Sequence, residues 1–140
     1  MARFNLNGFL DNSRFEDFFA RFGGGSSDHD HLNGTTGSNN LFGGAKEDTL
    51  AGMAGNDYVA ATGNNNTLDG GTGNDTLVAA AGNVGTRFVF GPGYGQDSVH
   101  GFKPGVAHSD IVDLRGFGLT FTNLLNLYAS DSAGGVVINL

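Results

Sequence analysis

Carboxylate and amide side chains recur at a fixed interval of nine residues in the middle of the chain. Counting in nines from residue 34, the sixth residue is always one of these two types: Asn39, Asp48, Asp57, Asn66 and Asp75. Each side chain offers an oxygen atom, and oxygen is the ligand that hard divalent cations such as Ca²⁺ prefer. The spacing therefore indicates a row of cation sites.

The rest of the nine-residue unit contains turn residues followed by strand residues. Its clearest copy, residues 70–78, reads Gly-Gly-Thr-Gly-Asn-Asp-Thr-Leu-Val. Its glycines permit positive φ and close backbone approach, which suits a turn. The eighth residue is apolar in every copy: Leu41, Leu50, Val59, Leu68 and Leu77. A flexible low-complexity linker would not keep two chemically different positions in phase.

This period predicts a coil made of two units. Strand side chains alternate between faces, so the eighth residue points inward and its neighbours point outward. Two units give a coil of 18 residues, and successive coils stack at about 4.8 Å. Turns that are one coil apart then lie directly above one another.

Stacked turns are predicted to share cations, with two turns supplying about six oxygens. Asp57 with Asp75 is the pair we expect to bind first, followed by Asn39 with Asp57 and Asp48 with Asn66. The turns around Asp57 and Asp75 are expected to add ligands from their backbone carbonyls: Gly52, Ala54, Gly55, Gly70, Gly71, Thr72 and Gly73. The asparagines lack charge, so their sites are expected to be weaker. Lys46 replaces the usual fourth-position glycine and weakens the Asp48 turn.

The predicted core is too small to fold by itself. One buried Leu or Val per nine residues contributes about 1.5–3 kcal/mol. Ordering the backbone costs about 1–2 kcal/mol for every residue, which exceeds this contribution over the nine residues of a repeat. The repeats are therefore predicted to be disordered without calcium and ordered with it.

Composition narrows the possible partners. Fourteen acidic and seven basic residues give a net charge of −7, which disfavours nucleic acid and favours cations. No apolar stretch is long enough for membrane insertion, and there is no cysteine for a disulfide or thiolate site. The first residues lack the features of a secretory signal peptide, so export would use another signal.

The repeat resembles the RTX, or repeats-in-toxin, family of exported bacterial calcium-binding proteins. The resemblance implies an all-β, right-handed parallel β-roll that binds several Ca²⁺ ions. It also implies secretion through a type I exporter that reads a C-terminal signal, with calcium-triggered folding outside the cell. The expected location is extracellular or at the bacterial cell surface.

Residues 86–114 resemble the segment that closes the roll in serralysin-type proteases. Residues 92–100 fit an imperfect turn and strand, with Asp97 at the sixth position. Residues 79–87 break the pattern, since Val84 stands where the aspartate would be, so no complete site is expected there. We therefore divide the chain into an arm, residues 1–33, and a roll with a C-terminal cap, residues 34–140. The cap is expected to hold a short helix or turn, a final strand and the export signal.

The arm has an aromatic segment at residues 13–22. Four phenylalanines at helical spacing predict a short amphipathic helix: Phe15, Phe18, Phe19 and Phe22. It would cover the first coil of the roll or dock onto a neighbouring molecule. Residues 23–27 are interpreted as a flexible linker, and residues 28–31, Asp-His-Asp-His, as solvated linker rather than a transition-metal site.

Two functions fit the sequence. The first is a secreted calcium-binding structural protein that assembles with itself into a filament, matrix or surface layer. The alternative is the C-terminal module of a larger secreted enzyme, such as a protease, lipase or epimerase. The sequence has no His-Glu-x-x-His motif, no G-x-S-x-G motif and no cysteine nucleophile, so we interpret the chain as a non-enzyme.

Overall fold

The strands are short because each nine-residue unit leaves only a few residues outside its turn. The computed structural model describes residues 22–25, 29–80, 82–105, 109–118, 129–132 and 135–138. Within them the strands are β1 Phe22–Gly24, β2 His31–Asn33, β3 Asn40–Phe42, β4 Thr49–Ala51, β5 Tyr58–Ala61, β6 Thr67–Asp69, β7 Thr76–Ala79, β8 Arg87–Val89, β9 Ser98–His100, β10 Ile111–Asp113, β11 Ala129–Ser132 and β12 Gly135–Ile138. The C-terminal region also has a single 3-10 turn at Arg115–Phe117.

Alternate strands form two separate sheets, as expected for a roll. One sheet has the order β1-β3-β5-β7-β9-β12-β11, and the other has the order β10-β8-β6-β4-β2. All strand pairs up to β10 are parallel, while β12 is antiparallel to both β9 and β11. The predicted all-β parallel roll is confirmed. Turns that lead into odd-numbered strands lie on what we call the odd side of the roll, and turns that lead into even-numbered strands lie on the even side.

The register follows the predicted 18-residue coil in the first part of the roll. Asn40 pairs with Tyr58, and Tyr58 pairs with Thr76, two steps of 18 residues. Later coils are longer because their turns contain extra residues. Ser98 pairs with Thr76, 22 residues earlier, and Ile111 pairs with Arg87, 24 residues earlier.

The core is a narrow column of side chains between the sheets. The eighth residues of the five repeats are buried, with at most 1% of their surface exposed: Leu41, Leu50, Val59, Leu68 and Leu77. This confirms the predicted inward position. Phe88 and Phe90 continue the column in the longer coils, and Phe102 packs near Phe88 with ring centroids 6.1 Å apart. Longer coils thus hold larger side chains.

The roll begins before residue 34, so the predicted boundary between arm and roll is wrong. Leu32 in β2 pairs with Leu50, in the same register as the later coils. Residues 25–33 are a further repeat, with Gly25 first, Asp30 sixth and Leu32 eighth. Its second and fourth residues are not glycines, which hid it in the sequence. The linker interpretation fails for residues 23–25 and 29–31, because β1 pairs with β3 and residues 29–31 lie in the roll.

The ends of the chain fit the predictions in part. Of the predicted aromatic helix, Phe22 lies in β1, and residues 13–21 lie outside the described residues. In the cap, the final strand is present as β12, and residues 119–128, where a helix or turn was expected, also lie outside them. A search of the described residues found no helix with the length and apolar character that crossing a bilayer requires.

Candidate metal centre

The sixth-position side chains form a chain of hydrogen bonds along each side of the roll. The backbone N–H of one sixth residue donates to the Oδ1 atom of the sixth residue one coil later. On the odd side these bonds run from Asn39 to Asp57 at 2.7 Å, from Asp57 to Asp75 at 2.8 Å and from Asp75 to Asp97 at 2.9 Å. On the even side Asp30 donates to Asp48 at 3.0 Å. Asp57 and Asp75 are therefore direct neighbours in adjacent coils, on the same side of the roll.

The second carboxylate oxygen of three aspartates is buried without a partner. The Oδ2 atoms of Asp48, Asp57 and Asp75 find no hydrogen-bond partner among the described residues. The exposed fraction of these three side chains is only 2–3%. A buried, unpaired carboxylate oxygen is strongly unfavourable unless a positive charge compensates it. These three oxygens have the chemistry of cation ligands.

Each of these oxygens lies beside a glycine that leaves room for it. A methyl group at Gly52 would collide with Asp57 Oδ2 and with the carbonyl oxygen of Gly70, one coil later. A methyl group at Gly25 would likewise collide with Asp30 Oδ2 and with the carbonyl oxygen of Gly43, one coil later. A carboxylate and a carbonyl from stacked turns thus face one small space, as a shared cation requires.

The backbone of the aspartate turns has a common shape. In the turns ending at Asp48, Asp57, Asp75 and Asp97, both the second and the fourth residue have positive φ. The residues are Gly44, Lys46, Met53, Gly55, Gly71, Gly73, Gly93 and Gly95, with φ between 77° and 139°. Lys46 at 78° and Met53 at 80° adopt this shape although they have side chains. Strain of this kind is typical of binding turns.

Burial makes the negative charge of the turns hard to maintain without a cation. The pKa of Asp57 is raised to about 6, chiefly by desolvation; the Asn39 N–H opposes this rise and the charge of Asp75 adds to it. The pKa of Asp97 is likewise raised to about 6, mainly by desolvation. Burial also raises the pKa values of Asp48 and Asp75. A bound divalent cation would remove this penalty.

The predicted carbonyl ligands occupy different positions. The Gly70 carbonyl faces Asp57 Oδ2 beside Gly52, as expected for a shared site. The Thr72 carbonyl accepts the Gly55 N–H at 2.9 Å, so it has less capacity left to bind a cation. Thr72 also forms a bridge with Ala54. Gly71 and Gly73 pack on the carbonyls of Met53 and Gly55. These seven residues remain predicted ligands.

Main-chain atoms would have to complete any cation shell. In the described part of the chain, no three His, Asp or Glu side chains converge into a metal cage. One carboxylate per turn together with carbonyls gives the all-oxygen donor set that suits Ca²⁺. The residues present therefore fit calcium, and Asp57, Asp75 and Asp48 would supply the charged ligands.

The uncharged residues at the sixth position also take part in the stacking of the turns. Asn39 Oδ1 lies beside Gly34 with the Gly52 carbonyl, so it can act as a neutral ligand. Asn66 Oδ1 accepts the Asp48 N–H at 2.8 Å. In the irregular coil Thr86, not Val84, takes the sixth position, because two extra residues precede β8; its N–H donates to Asp110 at 2.8 Å.

Sequence reasoning missed three acidic residues of the roll. Asp30 and Asp110 are sixth residues, and a search that tolerates missing glycines or longer turns would find them. Asp69 stands at a ninth position, which the pattern leaves variable. Burial raises the pKa of Asp69, while hydrogen bonds from Tyr94 and Gly71 lower it. Nothing in the nine-residue pattern predicts that contact.

Comparison with protein families agrees with the geometry. A model of the RTX calcium-binding nonapeptide repeat matches four copies, over residues 24–59, 33–67 and 60–83. Residues 24–83 match the RTX calcium-binding repeat. The matched segments begin at residue 24, which agrees with the start of the roll in the structure. The repeat that this family model describes binds calcium.

Neither the curated proteins nor the solved structures compared with this chain gave a significant match. The likeness of residues 86–114 to serralysin-type proteases stays a prediction, because the family match of the RTX roll ends at residue 83.

Proposed function

We propose that this protein is a secreted calcium-binding structural protein that folds on binding Ca²⁺ outside the cell and then assembles end to end. The observation that carries the proposal is the row of buried, unpaired Oδ2 atoms at Asp48, Asp57 and Asp75. Several ions bound between stacked turns would compensate these charges.

Coupling between calcium and folding follows from the small core and the buried charges. Each strand of the roll contributes only about one large side chain to the column between the sheets. Closing the roll without a cation also buries neighbouring carboxylates, which raises their pKa values. Where calcium is scarce the chain stays unfolded and can be exported through a type I exporter. Where calcium is plentiful it folds.

Assembly is supported by the N-terminal end of the roll. Within the described residues, β1 and β2 are the outermost strands of their sheets. Such strands present unpaired backbone N–H and C=O groups to any neighbouring strand. At the other end, the antiparallel strands β12 and β11 extend the odd-numbered sheet. End-to-end addition would cover the open strands of one copy with another copy of the chain.

Sedimentation velocity and electron microscopy in millimolar calcium test the assembly, using His31→Lys and Thr49→Lys. A lysine on an outermost strand hinders addition of a further strand, and His31 lies on β2. Thr49 pairs with His31 one strand further in and is also exposed, so it is the matched control. We expect wild type and Thr49→Lys to form polymers and His31→Lys to remain small. A wild-type monomer, or polymers of all three, contradicts assembly through β2.

A further inference from the structure

The turn at residues 61–66 carries an amide where the neighbouring turns carry a carboxylate. Asn66 is fully buried, with 0% of its surface exposed. The Asp48 N–H donates to its Oδ1 atom at 2.8 Å, so the orientation of the amide is fixed. Its Nδ2 atom donates to the carbonyl of Gly63 in the same turn. At Asp48, Asp57 and Asp75, the corresponding second atom is an unpaired oxygen.

A second amide occupies another carbonyl of this turn. Asn83 Nδ2 donates to the carbonyl of Ala61 at 3.3 Å, from the next coil on the even side. The Ala80 N–H donates to the same carbonyl at 3.0 Å. Ala61 is the first residue of its unit, like Gly70, whose carbonyl faces Asp57 Oδ2. Two carbonyls of this turn, those of Ala61 and Gly63, are therefore already engaged by N–H groups.

The backbone of this turn also differs from that of the aspartate turns. All six of its residues are described, and only Asn65 has positive φ, at 57°. In the turn ending at Asp75, by contrast, Gly71 and Gly73 have φ of 89° and 139°. The turn at residues 61–66 therefore lacks the two left-handed residues found in each of the turns that end at Asp48, Asp57, Asp75 and Asp97. Amide orientation and backbone shape are independent observations, and both set this turn apart.

We propose that the turn at residues 61–66 takes no calcium ion and is held closed by the amides of Asn66 and Asn83. An N–H group pointing toward the cation position repels a cation, and a carbonyl that accepts N–H groups has less capacity to bind one. Calcium then lines the odd side continuously through Asp57, Asp75 and Asp97, while the even side is interrupted after Asp48. This inference rests on the calcium binding proposed above.

Counting bound ions by native mass spectrometry in saturating calcium tests the inference, with Asn66→Asp as the variant. This substitution replaces the Nδ2 donor with an oxygen and keeps the acceptor for the Asp48 N–H. Asn64→Asp is the matched control, since Asn64 is exposed in the same turn and its Oδ1 accepts the Val84 N–H at 3.0 Å. We expect one additional ion in Asn66→Asp and none in Asn64→Asp. An ion count in Asn66→Asp equal to that of wild type overturns the role assigned to the Asn66 amide.

An anomalous-scattering map of calcium-loaded wild-type crystals locates the ions without any substitution. We expect a calcium peak beside Asp57 and none beside Asn66. Peaks at both residues overturn the inference but leave the calcium-binding function intact. If no peak appears at either residue, and native mass spectrometry finds no bound calcium, the proposed function itself fails.

Discussion

At the residue scale, one atom at the sixth position decides what a turn can bind. Asp57 and Asn66 both accept a backbone N–H from the preceding coil, at 2.7 and 2.8 Å. Their second atoms differ, since Asp57 has an unpaired oxygen and Asn66 has an N–H donor. The sequence predicted weaker binding at Asn66 from its missing charge. It could not predict the orientation of the amide, because the Asp48 N–H sets that orientation only after the coils have stacked.

The raised pKa values of Asp57 and Asp97, both about 6, make the roll sensitive to pH. In an unfolded chain an aspartate has a pKa of about 3.9. The folded, metal-free roll therefore holds more protons than the unfolded chain between about pH 4 and pH 6. Its stability falls as pH rises through this window and changes little above it.

The metal-free chain is predicted to be unfolded, so protons compete with calcium for aspartates whose pKa is about 3.9. We expect the apparent calcium affinity to stay nearly constant between pH 7.5 and pH 5 and to fall about tenfold per pH unit for each ligand carboxylate below about pH 3.9. Isothermal titration calorimetry at several pH values measures this change. Glu47→Gln, which removes an exposed charge, should show the same pH dependence. A fall of about tenfold by pH 5 would contradict calcium-coupled folding, because it requires a metal-free state that is already folded and has the raised pKa values.

At the element scale, strands and turns differ in how far the sequence defines them. The apolar eighth position predicted the inward face of each strand, and Leu41 to Leu77 are buried accordingly. Turns were harder to predict, because their backbone shape does not depend on glycine alone. Residues 25–33 form a repeat with glycine only at its first position, and the turn before β8 accommodates two extra residues.

Met53 shows that the turn shape prevails over residue preference. It holds a φ of 80°, and 55% of its surface is exposed. A left-handed conformation costs an ordinary residue about 1–2 kcal/mol. We expect Met53→Gly to raise the free energy of unfolding in saturating calcium by about 0.5–1 kcal/mol, after allowing for the greater freedom of glycine in the unfolded chain.

Urea unfolding in saturating calcium measures the effect of Met53→Gly, with Met53→Ala as the control. Alanine removes the exposed side chain but keeps the strained backbone, so it should give no gain in stability. Equal stability of the glycine and alanine variants would show that positive φ at this position stores no strain.

At the scale of the whole molecule, stacking of nearly identical coils converts weak local preferences into a fold. The nine-residue period predicted the 18-residue coil, the two parallel sheets and the turns in register, since all three follow from repetition. It could not predict the end of the roll, where the repetition stops. There Asp113 accepts hydrogen bonds from both Arg87 and Arg115, which lower its pKa below the usual range. An ion pair, not a repeat, closes this coil.

The most direct test of calcium-dependent folding is a calcium titration followed by far-ultraviolet circular dichroism, comparing wild type, Asp57→Asn and Glu47→Gln. We expect little β signal in chelator and a cooperative gain with calcium. Asp57→Asn should need at least about tenfold more calcium at the midpoint, because it loses a charged ligand from a shared site. Glu47→Gln loses the same charge at the exposed surface and should match wild type. A full β signal in chelator, or equal midpoints for all three proteins, would contradict the claim that stacked aspartates bind the calcium that orders the roll.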